Sequence, residues 1–176
     1  MVDITDVSGD LLISEMKVEN KEFQTPLTVH GTQNMKSFQL SDSSFTNNQN
    51  GALQISGIHI QTFAVSNCVF DGNQGSGANA MFAIVDGAVI EHISLEDSTI
   101  SGNTGYFNGG AFAVDYSSAM SPNKISDSGD SNGKLPTVLS VSVKNCEFSK
   151  NAAGPQQKGG SLYMIAPSSI DEYSLN

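Results

Sequence analysis

Short bursts of alternating apolar and polar positions recur along this chain, and the bursts keep register. With Phe45, Phe70, Ile100 and Phe148 taken as position zero, apolar residues stand at minus seven (Phe38, Phe63, Ile93, Val141) and minus five (Leu40, Val65, Leu95, Val143). Turn formers stand at minus three (Asp42, Asn67, Asp97, Asn145), small residues at minus two (Ser43, Cys68, Ser98, Cys146) and Asn at plus three (Asn48, Asn73, Asn103, Asn151). Strand side chains alternate faces, so minus seven and minus five share one face, as do minus two and zero. The change of parity between the pairs requires a bend. The Asp/Asn column supplies it, because these residues tolerate the left-handed conformation. After each anchor the Asn column and the glycines that follow (Gly51, Gly77, Gly109–Gly110, Gly159–Gly160) turn the chain again. A further short apolar strand comes next, at residues 53–55, 82–84, 112–114 and 162–164. Short strands with bends between them, repeated at this period, predict a solenoid. The expected fold is all-β: a right-handed, single-stranded parallel β-helix of about four to six coils.

Anchor spacings are 25 (45 to 70), 30 (70 to 100) and 48 (100 to 148), so one coil carries a loop insertion, placed at 115–136. Loops between the Asn and Gly columns also lengthen, through 49–50, 74–76, 104–108 and 152–158. Loops growing on one edge are where such a scaffold carries recognition. The repeat coils run from 38 to 165, and residues 1–37 read as one degenerate preceding coil. There Thr5, Val7 and Asp10 imitate positions minus two, zero and plus three, with Leu11–Ile13 as the following strand. Residues 166–176 open a further coil through Ile170 and Tyr173. A bare final coil exposes strand edges, so the chain reads as one β-helix segment of a longer protein.

Stacking coils about 4.8 Å apart turns each column into a ladder. Phe45, Phe70, Ile100 and Phe148 form an apolar stack, each burial contributing on the order of 2–3 kcal/mol. Asn48, Asn73, Asn103 and Asn151 pass amide hydrogen bonds from coil to coil. A buried ladder is favoured over surface turns because the Asn-to-anchor spacing is fixed while the loop after it is not. Cys68 and Cys146 share a column two coils apart, about 10 Å, which a disulfide cannot span, so both read as small buried residues.

Composition narrows function mainly by exclusion. All eight basic residues are lysines and the net charge is −10, which argues against a nucleic-acid partner. No apolar run is long enough to span a membrane, and residues 1–20 lack a signal-peptide pattern. None of the asparagines lies in an N-x-S/T sequon. His30, His59 and His92 share no column and no metal spacing, and no calcium-loop spacing occurs, so neither metal nor cofactor is expected. The binding candidates are Tyr106 and Phe107 in the loop 104–108 and Tyr116, with Met120, at the start of the insertion.

The recurring motif reads Phe45-x-x-Asn48 to Gly51-Ala52-Leu53, Phe70-x-x-Asn73 to Gly77-Ala78, Ile100-x-x-Asn103 to Gly109-Gly110-Ala111-Phe112, and Phe148-x-x-Asn151 to Gly159-Gly160-Ser161-Leu162. It resembles the F-x-x-N and G-G-A repeats of the polymorphic outer-membrane proteins of chlamydiae and of β-helix surface proteins of ciliates and other protists. One anchor is Ile, and only two copies keep the double glycine. The resemblance implies a surface-displayed passenger or adhesin segment. On that footing the expected function is non-catalytic: a rigid structural or adhesive module at the cell surface or outside the cell. Its partners would be further coils, copies of the same or a related β-helix, or a host or matrix protein or glycan. A carbohydrate-active enzyme is the alternative, since parallel β-helices also host pectate-lyase-like lyases and hydrolases. Against it, the chain has no Arg, and Asp86, Asp97 and Asp115 fall at three different places in the coil, whereas paired carboxylates must face one another. An intracellular assembly subunit is the second alternative, favoured by the missing signal peptide and sequons.

Overall fold

Three parallel sheets wrap around one apolar interior. The computed structural model describes residues 1–22, 24–75, 82–85, 88–105, 110–114, 137–153, 162–164 and 172–175. In chain order the first coil consists of β1 (Val2–Thr5), β2 (Gly9–Ser14) and β3 (Lys17–Glu19). The second is β4 (Leu27–His30), β5 (Asn34–Ser41) and β6 (Ser44–Thr46), and the third β7 (Leu53–Ser56), β8 (His59–Ser66) and β9 (Val69–Asp71). The fourth holds β10 (Phe82–Val85), β11 (Val89–Glu96) and β12 (Thr99–Ser101), and the fifth β13 (Phe112–Val114), β14 (Thr137–Lys144) and β15 (Glu147–Ser149). A sixth begins with β16 (Leu162–Met164) and β17 (Glu172–Leu175). Sheet A takes the first strand of every coil, sheet B the second and sheet C the third. Every pairing between neighbouring coils is parallel. The protein is therefore a parallel β-helix, with no helical segment among the described residues.

The interior is stacked by column. Phe45, Phe70, Ile100 and Phe148 are successive register partners in sheet C, and Phe38, Phe63, Ile93 and Val141 in sheet B. The rings of Phe45 and Phe70 lie 5.3 Å apart and 4° from parallel, and those of Phe38 and Phe63 lie 5.2 Å apart at 23°. Such offset stacking follows from rings held at the strand spacing, and adds about 0.5–1.5 kcal/mol per pair to area burial.

Between sheets B and C one residue turns the chain. Asp42, Asn67, Asp97 and Asn145 have φ near 50° (51°, 51°, 49° and 51°), the left-handed region that Asn and Asp enter most cheaply. Their side chains also touch along the axis. Asn67 Nδ2 donates to Asp42 Oδ1, and Asn145 Nδ2 donates to Asp97 Oδ1 at 3.1 Å. From Asp42 onward, alternation of acid and amide keeps like charges two coils apart.

Two sequence expectations need correction. Residues 1–37 do not follow the expected register. Leu11 pairs with Phe38 and Ile13 with Leu40 in sheet B, and Val18 pairs with Phe45 in sheet C. Thr5 lies in sheet A opposite His30. The first coil therefore repeats the whole pattern at Leu11, Ile13, Glu15, Met16, Val18 and Lys21. The sequence hides this register because its anchor is Val and its plus-three residue is Lys. The second correction concerns the turn after the anchor. Its first bend is made at plus two, by Asn20, Asn47, Gly72, Gly102 and Lys150, all at φ of 53–64°, and Gly51 bends the chain again at φ 76° as expected. At Gly72 an added Cβ would lie 2.5 Å from Asn47 Oδ1, so a side chain there would have to displace that amide. The plus-three asparagines sit just inside this turn.

Candidate functional surface

Among the described residues the Asn column forms a continuous chain of hydrogen bonds. Asn48, Asn73 and Asn103 are fully buried. The backbone N–H and Nδ2 of Asn48 both donate to Asn73 Oδ1, at 3.1 and 2.9 Å. Asn73 donates in the same way to Asn103 Oδ1 at 3.0 Å, and Asn103 to Asn151 Oδ1 at 3.0 Å. The second Nδ2 hydrogen points the other way. Asn73 gives it to the carbonyl of Phe45, Asn103 to Phe70 and Asn151 to Ile100, at 2.8–2.9 Å. Each amide thus ties its own coil to the one before and the one after. Such a chain of buried amides leaves no orphaned polar group, and its dipoles reinforce one another. At its start, Lys21 N–H donates to Asn48 Oδ1 at 3.1 Å, and the amide ladder goes no further.

A second column works similarly. Ser43 Oγ accepts from Met16 N–H and donates to the carbonyl of Ser41, and Ser98 Oγ accepts from Cys68 N–H and donates to Glu96. The thiols of Cys68 and Cys146 donate to Ser66 and Lys144 carbonyls in the serine manner. Both cysteines are free. Burial pushes both thiols above the usual cysteine range, which favours the protonated form at neutral pH.

Beyond the Asn column the chain still follows the ladder for one residue. Gln74, Thr104 and Ala152 bridge to one another, their N–H groups donating to Asn48, Asn73 and Asn103 carbonyls at 2.7–2.8 Å. In sequence, the connections from sheet C to sheet A begin after these positions, Tyr106 and Phe107 precede β13, and Tyr116 and the insertion 115–136 follow it. These three residues, with Met120, Asp86, Asp115, Ile170 and the insertion itself, lie outside the described residues.

The described histidines are each bonded to polar side chains of a neighbouring coil. His30 Nε2 lies 2.9 Å from Asp3 Oδ1 and 3.1 Å from Thr5 Oγ1. An acid–base relay needs carboxylate and nucleophile on opposite ring nitrogens, and here both share one. His59 Nε2 meets Glu91 at 2.8 Å and His92 Nδ1 meets Ser140 Oγ at 2.7 Å, each bridging adjacent coils. Asp97 is an exposed turn residue. Among the described residues, no three His, Cys, Asp or Glu side chains converge as metal ligands, and no helix is long and apolar enough to cross a membrane. The distribution of sign was not evident from the total charge: no Lys or Arg occurs between Lys36 and Lys124, so the central coils present acids alone. Searches for similarity find no match among family models, curated proteins or solved structures.

Proposed function

We propose that this chain is a non-catalytic structural and adhesive segment of a larger surface or extracellular protein. The β-helix serves as a rigid scaffold, and its loops make the contacts. The supporting observation is the division of labour along each coil. The arc from minus seven to plus three has one length in every coil (11–21, 38–48, 63–73, 93–103, 141–151), while the connections outside it vary freely. A chain that holds its arc constant and spends its variation on loops at one sheet fits presentation better than catalysis. The F-x-x-N and G-G-A resemblance to surface proteins favours the same reading. Partners would be related coils, or a host or matrix protein or glycan, bound at Tyr106, Phe107 and Tyr116.

The test combines adhesion and turnover. Binding to matrix-coated plates and glycan arrays should fall about tenfold, roughly 1.4 kcal/mol, when Tyr106, Phe107 and Tyr116 are replaced together by Ala, with the melting temperature unchanged. New reducing ends or unsaturated products from acidic or neutral polysaccharides, with or without calcium, would overturn the scaffold reading in favour of an enzyme.

A further inference from the structure

The outer face of sheet B carries opposite charges on either side of one strand. That strand is β8, whose outward side chains are Gln61, Thr62, Ala64 and Ser66, with Gln61 and Thr62 fully exposed to solvent. At the level of Gln61, β5 presents Lys36 and β11 presents Glu91, their side chains 72% and 32% exposed. Each already has a contact within the chain, Lys36 Nζ at 3.6 Å from Asp10 Oδ2 and Glu91 Oε1 at 2.8 Å from His59 Nε2. An ammonium has three donors and a carboxylate two oxygens, so neither contact exhausts its group. The pattern along the axis is therefore cation, neutral, anion, and it turns into its own complement when the order of coils is reversed.

We infer that this face binds the same face of a second copy, the two rods antiparallel about a two-fold axis lying along β8. Such an axis keeps positions along the strand and reverses the coils, so β5 of each copy lies on β11 of the other. Lys36 then meets Glu91 of the second copy, twice by symmetry, as an isologous interface requires. The Ser41 hydroxyl meets the Glu96 carboxylate of the second copy in the same way. On the axis Thr62, Ala64 and Ser66 meet themselves, and their small size lets the two sheets pack face to face. The bend column adds one attraction, Lys144 with Glu15, against one repulsion, Asp42 with Asp97. Parallel rods are the poorer arrangement, because they reverse positions along the strand and lay Glu91 over Glu96 of the second copy. Strands of eight residues span about 26 Å, and five stacked strands about 24 Å. The two faces together then bury roughly 1,200 Å², the lower end of the range for specific association. This contact goes beyond the loop-borne binding proposed above and uses a different surface.

Sedimentation velocity of the 176-residue chain, from about 1 μM to about 1 mM at low salt, tests it. The chain should pass from monomer to dimer with a Kd on the order of 10 μM, the weak affinity that an interface of this size supports. Lys36→Glu and Glu91→Lys should each weaken the dimer at least about tenfold, because like charges then face one another. Mixing the two variants in equal amounts should restore it, since every contact across the axis again joins opposite signs. That recovery also shows that both variants are folded. Ala64→Arg, a change confined to the axis, should abolish association with the melting temperature unchanged. A chain still monomeric at about 1 mM overturns the inference. So does a dimer indifferent to all three substitutions, which places the contact on another face, and so does a mixture that associates no better than its components. Adhesion through the loops and polysaccharide turnover are read independently of mass, so the function proposed above and this interface fail separately.

Discussion

In the first coil Glu15 turns the chain at a φ of 56° and Val18 fills the anchor position, while in the second Asp42 at 51° and Phe45 do the same. The backbones match and the chemistries do not. A glutamate has no local hydrogen bond to favour the left-handed turn, and holding it there costs about 1 kcal/mol. What holds it is the neighbouring coil: Glu15 N–H donates to the carbonyl of Ser41, as Asp42 N–H donates to Ser66. Asp10 adds a surface tie, since the hydroxyl of Ser37 at 2.6 Å, aided by Lys36, holds its carboxyl below the usual range. Leu11, Ile13 and Met16 are only partly buried where Phe38 and Leu40 are sealed. The interior coils specify themselves, whereas the first coil takes its shape from the second. In a solenoid, conformation is passed between neighbours as well as encoded in each.

The sharpest break in this contrast should come from the anchors. Phe70→Ala should cost about 3–5 kcal/mol by opening a cavity between sealed coils, while Val18→Ala should cost about 1.5 kcal/mol. Urea midpoints at constant m-value measure both, and equal losses would abolish the distinction. Next come the amides. Asn73→Ala strands partners on two coils and should cost about 2–3 kcal/mol, whereas Lys21→Asn should extend the ladder and add up to about 1 kcal/mol. A destabilised Lys21→Asn protein would show that the first coil is unable to hold the interior chemistry. A smaller effect is expected at the turn column. Asn67→Asp puts an acid between Asp42 and Asp97, so that with Glu15 four carboxylates stand in succession along the axis. It should lower the melting temperature more at low salt than at about 1 M, where screening removes the repulsion and leaves only the lost Asn67–Asp42 hydrogen bond.

The smallest effect should be Cys68→Ser, below about 1 kcal/mol at neutral pH, since Ser43 and Ser98 show a hydroxyl making the same bonds. Its pH dependence is the more informative part. The folded thiol titrates above its unfolded value, so its contribution is intact below the unfolded value near about 8.5. Stability then falls as pH rises from there through the folded value, because the unfolded chain releases its proton first. The serine variant should lose less stability over that alkaline window, and identical pH profiles would deny the burial.

Much of this was legible in the sequence because the informative residues are chemically costly to misplace. An Asn at a fixed distance from Phe is visible, since few other residues satisfy a buried turn, and the Asp/Asn column announced its own φ. The first coil was not legible, because Val18 and Lys21 are ordinary residues whose position is set by contact with Phe45 and Asn48. The plus-two turn did carry a signal, since Asn20, Asn47, Gly72 and Gly102 are types that enter the left-handed region readily, and only Lys150 breaks the column. The bonded roles of His30, His59 and His92 depend on partners from adjacent coils, which spacing along one strand does not reveal.

The unvarying arc has a practical corollary. Because sheets B and C consume the same number of residues at every level, foreign sequence spliced at the two borders of sheet A should leave the helical pitch alone. Cargo displayed there would be spaced by the strand repeat, like pegs on a ruled board.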